Sequence, residues 1–227
     1  MRYFITPALL IALKDLYSEW RTRQVVVTML IFSALVIVTF SFAFDPTRQA
    51  VEALIPGMIW VITVFAGILG LNRSFLSEQK QDQLHGMIVA PADPASIYLG
   101  KVIANYVFVF VVQAISIPLL LILFDFQVPG DYGWFLLILF LGTFGFICVG
   151  TLLSAVSIQS KSSEMLLPVL LFPLVTPIVI AAVEATRIVL AQDASISEAF
   201  SWMQLIVVYD LVFFVAGFLL FEYVLEV

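Results

Sequence analysis

Charge is scarce in this chain of 227 residues: 11% are Asp, Glu, Lys or Arg, against about 25% in an ordinary soluble domain. With 63% of residues hydrophobic, there is too little polar material to cover a globule in water, so lipid must solvate much of the surface. Cysteine is nearly absent. Cys148 stands alone inside an apolar run, which excludes an intrachain disulfide, a CxxC redox pair and covalent haem attachment; it reads as a small packing residue. Histidine is reduced to His85, so no HExxH motif or histidine pair is available to hold zinc. The net charge of −6 is spread over connections and tails and reads as ordinary solvation rather than a binding surface for a basic ligand.

Catalytic motifs are missing too. No GxxxxGK[ST] loop cradles nucleotide phosphates, no GxSxG elbow is present, and nothing suggests a nucleic-acid surface. If the chain takes part in ATP-driven transport, the ATPase must be a separate polypeptide.

Long apolar runs are abundant. A hydrocarbon core of about 30 Å takes roughly 20 apolar residues in a helix rising 1.5 Å each. Six stretches meet that length: 25–44, 53–71, 102–124, 134–158, 165–183 and 203–221. The fold class expected is an all-α integral membrane protein with six transmembrane helices, a single domain over 1–227, because helices satisfy their backbone groups internally. Ahead of the first run lies an amphipathic segment of about two dozen residues. The run itself is too long for a signal peptide and no A-x-A site follows it, so the segment is expected to be retained.

Orientation follows from the basic residues. Arg2, Lys14, Arg21 and Arg23 precede the first run; Arg73, Lys80 and Lys101 fall between the second and third, and Lys161 between the fourth and fifth. The opposite side carries only Arg48 and Arg187, set among acids. The positive-inside rule then places both termini in the cytoplasm.

Three segments outside the runs carry patterns of their own. Thr6 and Pro7 form a helix-start signal, followed by Leu9, Leu13, Leu16 and Trp20 on one face and Lys14, Asp15, Ser18 and Arg21 on the other. Over 7–23 this predicts an interfacial helix with its apolar face in the acyl boundary; as a soluble helix it would have no core to pack on. The connection 72–101 is longer than a simple link requires. Polar residues from Ser77 to Gln83 lead into Leu84, Met87 and Ile88 at helical spacing, Pro91 ends that pattern, and Asp93 with Pro94 begins another. An inert loop has no use for exposed apolar residues, whereas a docking contact does. The segment 184–202, mixing Arg187, Asp193 and Glu198 with Ile188, Leu190 and Phe200, reads as short helices at the opposite interface.

Within the runs, Pro118 and the trio Pro168, Pro173 and Pro177 imply bent helices. Ala66, Gly70, Gly142 and Gly145 imply close backbone approach. Asp210 is the one acid inside a span. Placed about seven residues from the outer end, it either meets a polar cavity or partner, tilts towards headgroups, or accepts hydrogen bonds from neighbouring helices.

An interfacial N-terminal helix, six spans, a cytoplasmic loop between spans two and three and an irregular outer segment together resemble the ABC-2 (type V exporter-like) permeases. More narrowly, IPGMIWV (55–61), GLNRSFLSEQKQDQLHGMIVAP (70–91), LGK (99–101), LGTFGF (141–146) and LLPVLLFPLVTPIVI (166–180) resemble the haem exporter protein B (CcmB) family of cytochrome c maturation. That resemblance implies a permease subunit of the bacterial inner membrane with no catalytic residues and no metal of its own. An ABC ATPase (CcmA-like) would dock on the loop at Glu78, Asp82, Leu84, His85, Gly86, Met87, Ile88 and Pro91. A haem-handling subunit (CcmC-like), a small accessory subunit (CcmD-like) and a haem chaperone (CcmE-like) would complete the system. No cofactor is expected on this chain alone: haem iron usually takes His, Met, Cys or Tyr, and the only imidazole is cytoplasmic, while Met58 and Met203 read as packing. Two other functions share parts of the pattern. They are an ABC-2 permease for a lipid, polysaccharide or drug, and a stand-alone proton-coupled transporter built around Asp210.

Overall fold

The computed structural model describes residues 2–44, 48–79, 93–128, 131–158, 163–191 and 196–225. Among them are seven helices and no strand: α1 (Arg2–Thr22), α2 (Gln24–Ala43), α3 (Arg48–Gln79), α4 (Pro94–Leu123), α5 (Tyr132–Ile158), α6 (Ser163–Leu190) and α7 (Ile196–Leu225). The last six are each long and apolar enough to cross a membrane, and α1 packs beside them.

Helices α3 to α7 form the body of the bundle, with α2 against α3 and α4, and α1 against α4. Close approach depends on glycine at particular places. A Cβ on Gly142 of α5 would run into the Trp60 indole of α3, and one on Gly217 of α7 would strike the Tyr98 ring of α4. Packing of this kind is what holds helices together in lipid, where burial of apolar surface offers no gain. Prolines at 168, 173 and 177 lie inside the continuous helix α6. Pro173 and Pro177 sit on its exposed side, where each leaves the carbonyl four residues earlier without its usual amide partner.

Several helices run further than apolar windows suggest. Helix α4 starts at Pro94, with the Asp93 side chain accepting from the Ala95 amide at 3.0 Å. The run read from sequence began only after Lys101, because a lysine normally marks a water-facing end; here Lys101 is wholly buried and charge-paired. Segment 184–202 also differs from its expected form. Residues 184–190 continue α6 and 196–202 open α7, so these stretches belong to the long helices rather than to separate interfacial ones. Ala185, Val189 and Leu190 extend the buried face of α6. Glu184 and Arg187 pair at 2.7 Å on its exposed side, which lets a helix carry two charges past its apolar run.

Helix α1, expected to lie with its apolar face in the acyl boundary, also has a partner in its own chain. Ala8 and Ala12 are buried, and a Cβ on Gly100 of α4 would press on the Ala8 carbonyl and on Ile11. Asp15, expected on a solvated face, instead turns into this contact.

Candidate functional site

Two regions carry polar chemistry. The first lies at the end of the bundle where α1 meets the start of α4. Lys101 Nζ donates to Asp15 Oδ2 at 2.8 Å with its side chain 0% exposed, and Lys14 lies 3.3 Å from the other Asp15 oxygen. One turn on, the Glu19 carboxylate is buried and accepts from the Val26 amide at 2.8 Å. It thereby caps α2 across Arg23, which adopts a left-handed conformation (φ 54°, ψ 15°) between the two helices. Tyr98, on the same turns of α4, donates to the Cys148 carbonyl of α5 at 3.0 Å and packs on Phe221 of α7.

The second is a seam of neutral side chains through the interior. Asn105 donates to Thr151 Oγ1 at 3.2 Å, and Gln113 donates to Thr63 at 3.0 Å and Thr143 at 2.8 Å, tying α4 to α3 and α5. Near the far end Trp60 Nε1 donates to Thr186 Oγ1 at 3.0 Å. A gap lined by Met29, Gly67, Gly70 and Asn105 adjoins the seam, and the buried Asn105 amide oxygen has no partner among the described residues.

Asp210 lies further along its helix than the apolar run read from sequence suggested. The apolar stretch of α7 begins at Ser197, so Asp210 lies thirteen residues, or about 20 Å, along it. It is 5% exposed, so the surrounding helices enclose it. Both carboxylate oxygens lack a hydrogen-bond partner, so among the described residues it accepts nothing from neighbouring helices. Its Oδ1 faces Gly145 of α5, where a Cβ would collide with it.

The sequence-predicted site residues are placed as follows. Glu78 lies in the last turn of α3. Asp82, Leu84, His85, Gly86, Met87, Ile88 and Pro91 fall outside the described residues, as does the short helix expected there. On α1, Leu9, Leu13 and Trp20 are exposed and Leu16 is half-buried. Met58 and Met203 are 3% and 6% exposed. Among the described residues no three of His, Cys, Asp and Glu come together as metal ligands.

The Lys101–Asp15 pair and the interior seam were missed from sequence. The signal for the seam is visible in retrospect: Lys101, Asn105 and Gln113 recur at helical spacing on one face of an otherwise apolar segment.

Comparison with known proteins decides the family. The CcmB protein family model matches residues 6–219. The chain belongs to the CcmB family. Relatives named Heme exporter protein B include one from Pseudomonas aeruginosa, 30% identical over 152 residues covering 66% of this chain and 67% of its own. A second, from Rhodobacter capsulatus, is 26% identical over 158 residues, covering 70% and 72%. A third, from Haemophilus influenzae, is 25% identical over 170 residues, covering 74% and 76%. As a CcmB-family chain with six helices able to cross a membrane, it is a multi-pass membrane protein, and the relatives it resembles are named as haem exporters.

Proposed function

We propose that this CcmB-family chain is a single permease domain that turns ATP hydrolysis by a separate CcmA-like chain into movement of its membrane helices. Both termini and the loop between α3 and α4 face the cytoplasm, in the inner membrane of a bacterium. The ATPase grips that loop through the apolar knob of Leu84, Met87 and Ile88, with Glu78, Asp82, His85, Gly86 and Pro91 shaping and flanking it. CcmC-like, CcmD-like and CcmE-like chains handle haem beside it, in support of c-type cytochrome biogenesis. The observation that carries the reading is the asymmetry of charge: eight of ten basic residues lie on the side of α1 and this loop, where a cytoplasmic partner would approach. Substituting Leu84→Asp and Met87→Asp together should abolish co-purification of the ATPase while the chain still accumulates in the membrane. Undiminished co-purification would refute the assignment.

Haem ligation belongs to another subunit on this reading. The support is the burial of Met58 and Met203 within the bundle, which leaves neither thioether open to an axial position. The chain purified alone should therefore take up no stoichiometric haem; a Soret band saturating at one haem per chain would overturn this.

A further inference from the structure

Residues 80–92 end directly before Asp93, which caps α4. Displacement of that loop is therefore passed to the end of α3 and to the opening turns of α4. Those turns are fastened on two sides. Tyr98 reaches α5 and α7 through the Cys148 carbonyl, Phe221 and the surface opened by Gly217. On the other side, Gly100 lets the α1 backbone come into contact, and Lys101 holds Asp15 from a wholly buried position. A buried ion pair is a demanding contact: separating its members leaves charge stranded in a medium that solvates it poorly. Helix α1 and the start of α4 thus have strong reason to stay together during any motion.

The connection from α1 onward is equally constrained. Arg23 is a single left-handed residue between α1 and α2, and the Glu19 carboxylate bridges it by holding the Val26 amide. A joint pinned in this way carries rotation of α1 into α2 instead of absorbing it.

We propose that α1 and the first two turns of α4 form one rigid strut, latched by Lys101 and Asp15, that conveys displacement of the docking loop through Arg23 into α2. Lys101 and Asp15 are positioning residues in this scheme. Helix α1 then serves as a lever as well as a membrane-surface element. The inference rests on the docking reading given above, and the following experiment separates the two.

The complete complex is expressed with Asp15→Asn, with Asp15→Glu, or with the exchanged pair Asp15→Lys and Lys101→Asp. For each, the membrane level of the chain, the ATPase bound, ATP hydrolysis by the purified complex and the c-type cytochrome made by the cells are measured. With a latch, Asp15→Asn keeps the ATPase and its hydrolysis but lowers cytochrome output per chain by about tenfold or more, the scale of a typical coupling between sites. The exchanged pair recovers most of that loss, and Asp15→Glu, which keeps the charge, retains most of the output. A merely structural contact predicts instead that hydrolysis and output fall in parallel, and that result overturns the latch. So does wild-type output from Asp15→Asn, or a loss with Asp15→Glu as complete as with Asp15→Asn. If the wild-type chain retains no ATPase, it is the docking reading that fails.

Discussion

Gln113 shows what one polar side chain does in a lipid-embedded bundle. Its amide nitrogen donates to two threonines on two other helices, and the Thr63 hydroxyl donates in turn to the Ile59 carbonyl. These donors find their acceptors inside the protein, as a dry interior demands. Gln113→Leu should lower stability by about 1 kcal/mol, the usual size of an interhelical hydrogen bond in membranes, measurable as a shift in the unfolding midpoint in detergent. Gly145 is the opposite case, a residue chosen for what it leaves out. Adding a Cβ drives it into the Asp210 carboxylate and Ile178, and overpacking of this kind costs roughly 1–3 kcal/mol. Removing the obstruction with Asp210→Ala should recover part of that. The double variant is therefore expected to lose less stability than the two single losses added together, and strict additivity would contradict the contact. Glycine at 145 was legible in sequence as a packing position, but its partner was not. Nothing in a single chain of letters says which helix of six will face which.

Helices divide into those that sequence reads well and those it reads short. The apolar runs announce themselves because the bilayer sets their length. Their ends are harder, since a charge ends a run only if water is there to receive it. Lys101 is the instructive residue: read alone it closes a loop, yet Asp15, far away in sequence, gives it an ion pair inside the protein, and α4 continues unbroken around it. Glu184 and Arg187 extend α6 by a different route, pairing with each other on one exposed face. Helix α1 was readable as amphipathic, but its small-residue face of Ala8 and Ala12 carried no hydrophobic signal and gave no hint of the contact with α4. The remaining face, with Leu9, Leu13, Tyr17 and Trp20 exposed, has the composition of a membrane-surface element. Leu13→Asp with Trp20→Ser should therefore weaken function while leaving the Lys101–Asp15 contact intact. In the isolated helix as a synthetic peptide, the same changes should reduce partitioning into lipid vesicles by several kcal/mol, seen as loss of tryptophan-independent helicity by circular dichroism on adding lipid. Unchanged partitioning would mean that this face meets protein rather than lipid.

At the scale of the whole molecule, Asp210 discriminates between two ways of working. A transporter driven by ions needs an acid that gains and loses a charge during each cycle, and such acids in membranes are expensive and usually functional. A permease driven by an external ATPase needs no such group. Asp210 is mid-helix and buried, and among the described residues it has no hydrogen-bond partner and no ion pair. Its contacts with Gly145 place it at the α5–α7 packing surface, where an uncharged amide of the same size can sit. Asp210→Asn should consequently support c-type cytochrome production within about threefold of the wild-type level, less than the roughly fivefold at which typical coupling effects begin, with ATP hydrolysis unchanged. An abolished output with normal chain levels and normal ATPase binding would require a charge at this position during the cycle. Energy would then be entering through the membrane helices as well as from the nucleotide, and the division of labour between permease and ATPase would have to be redrawn around α7.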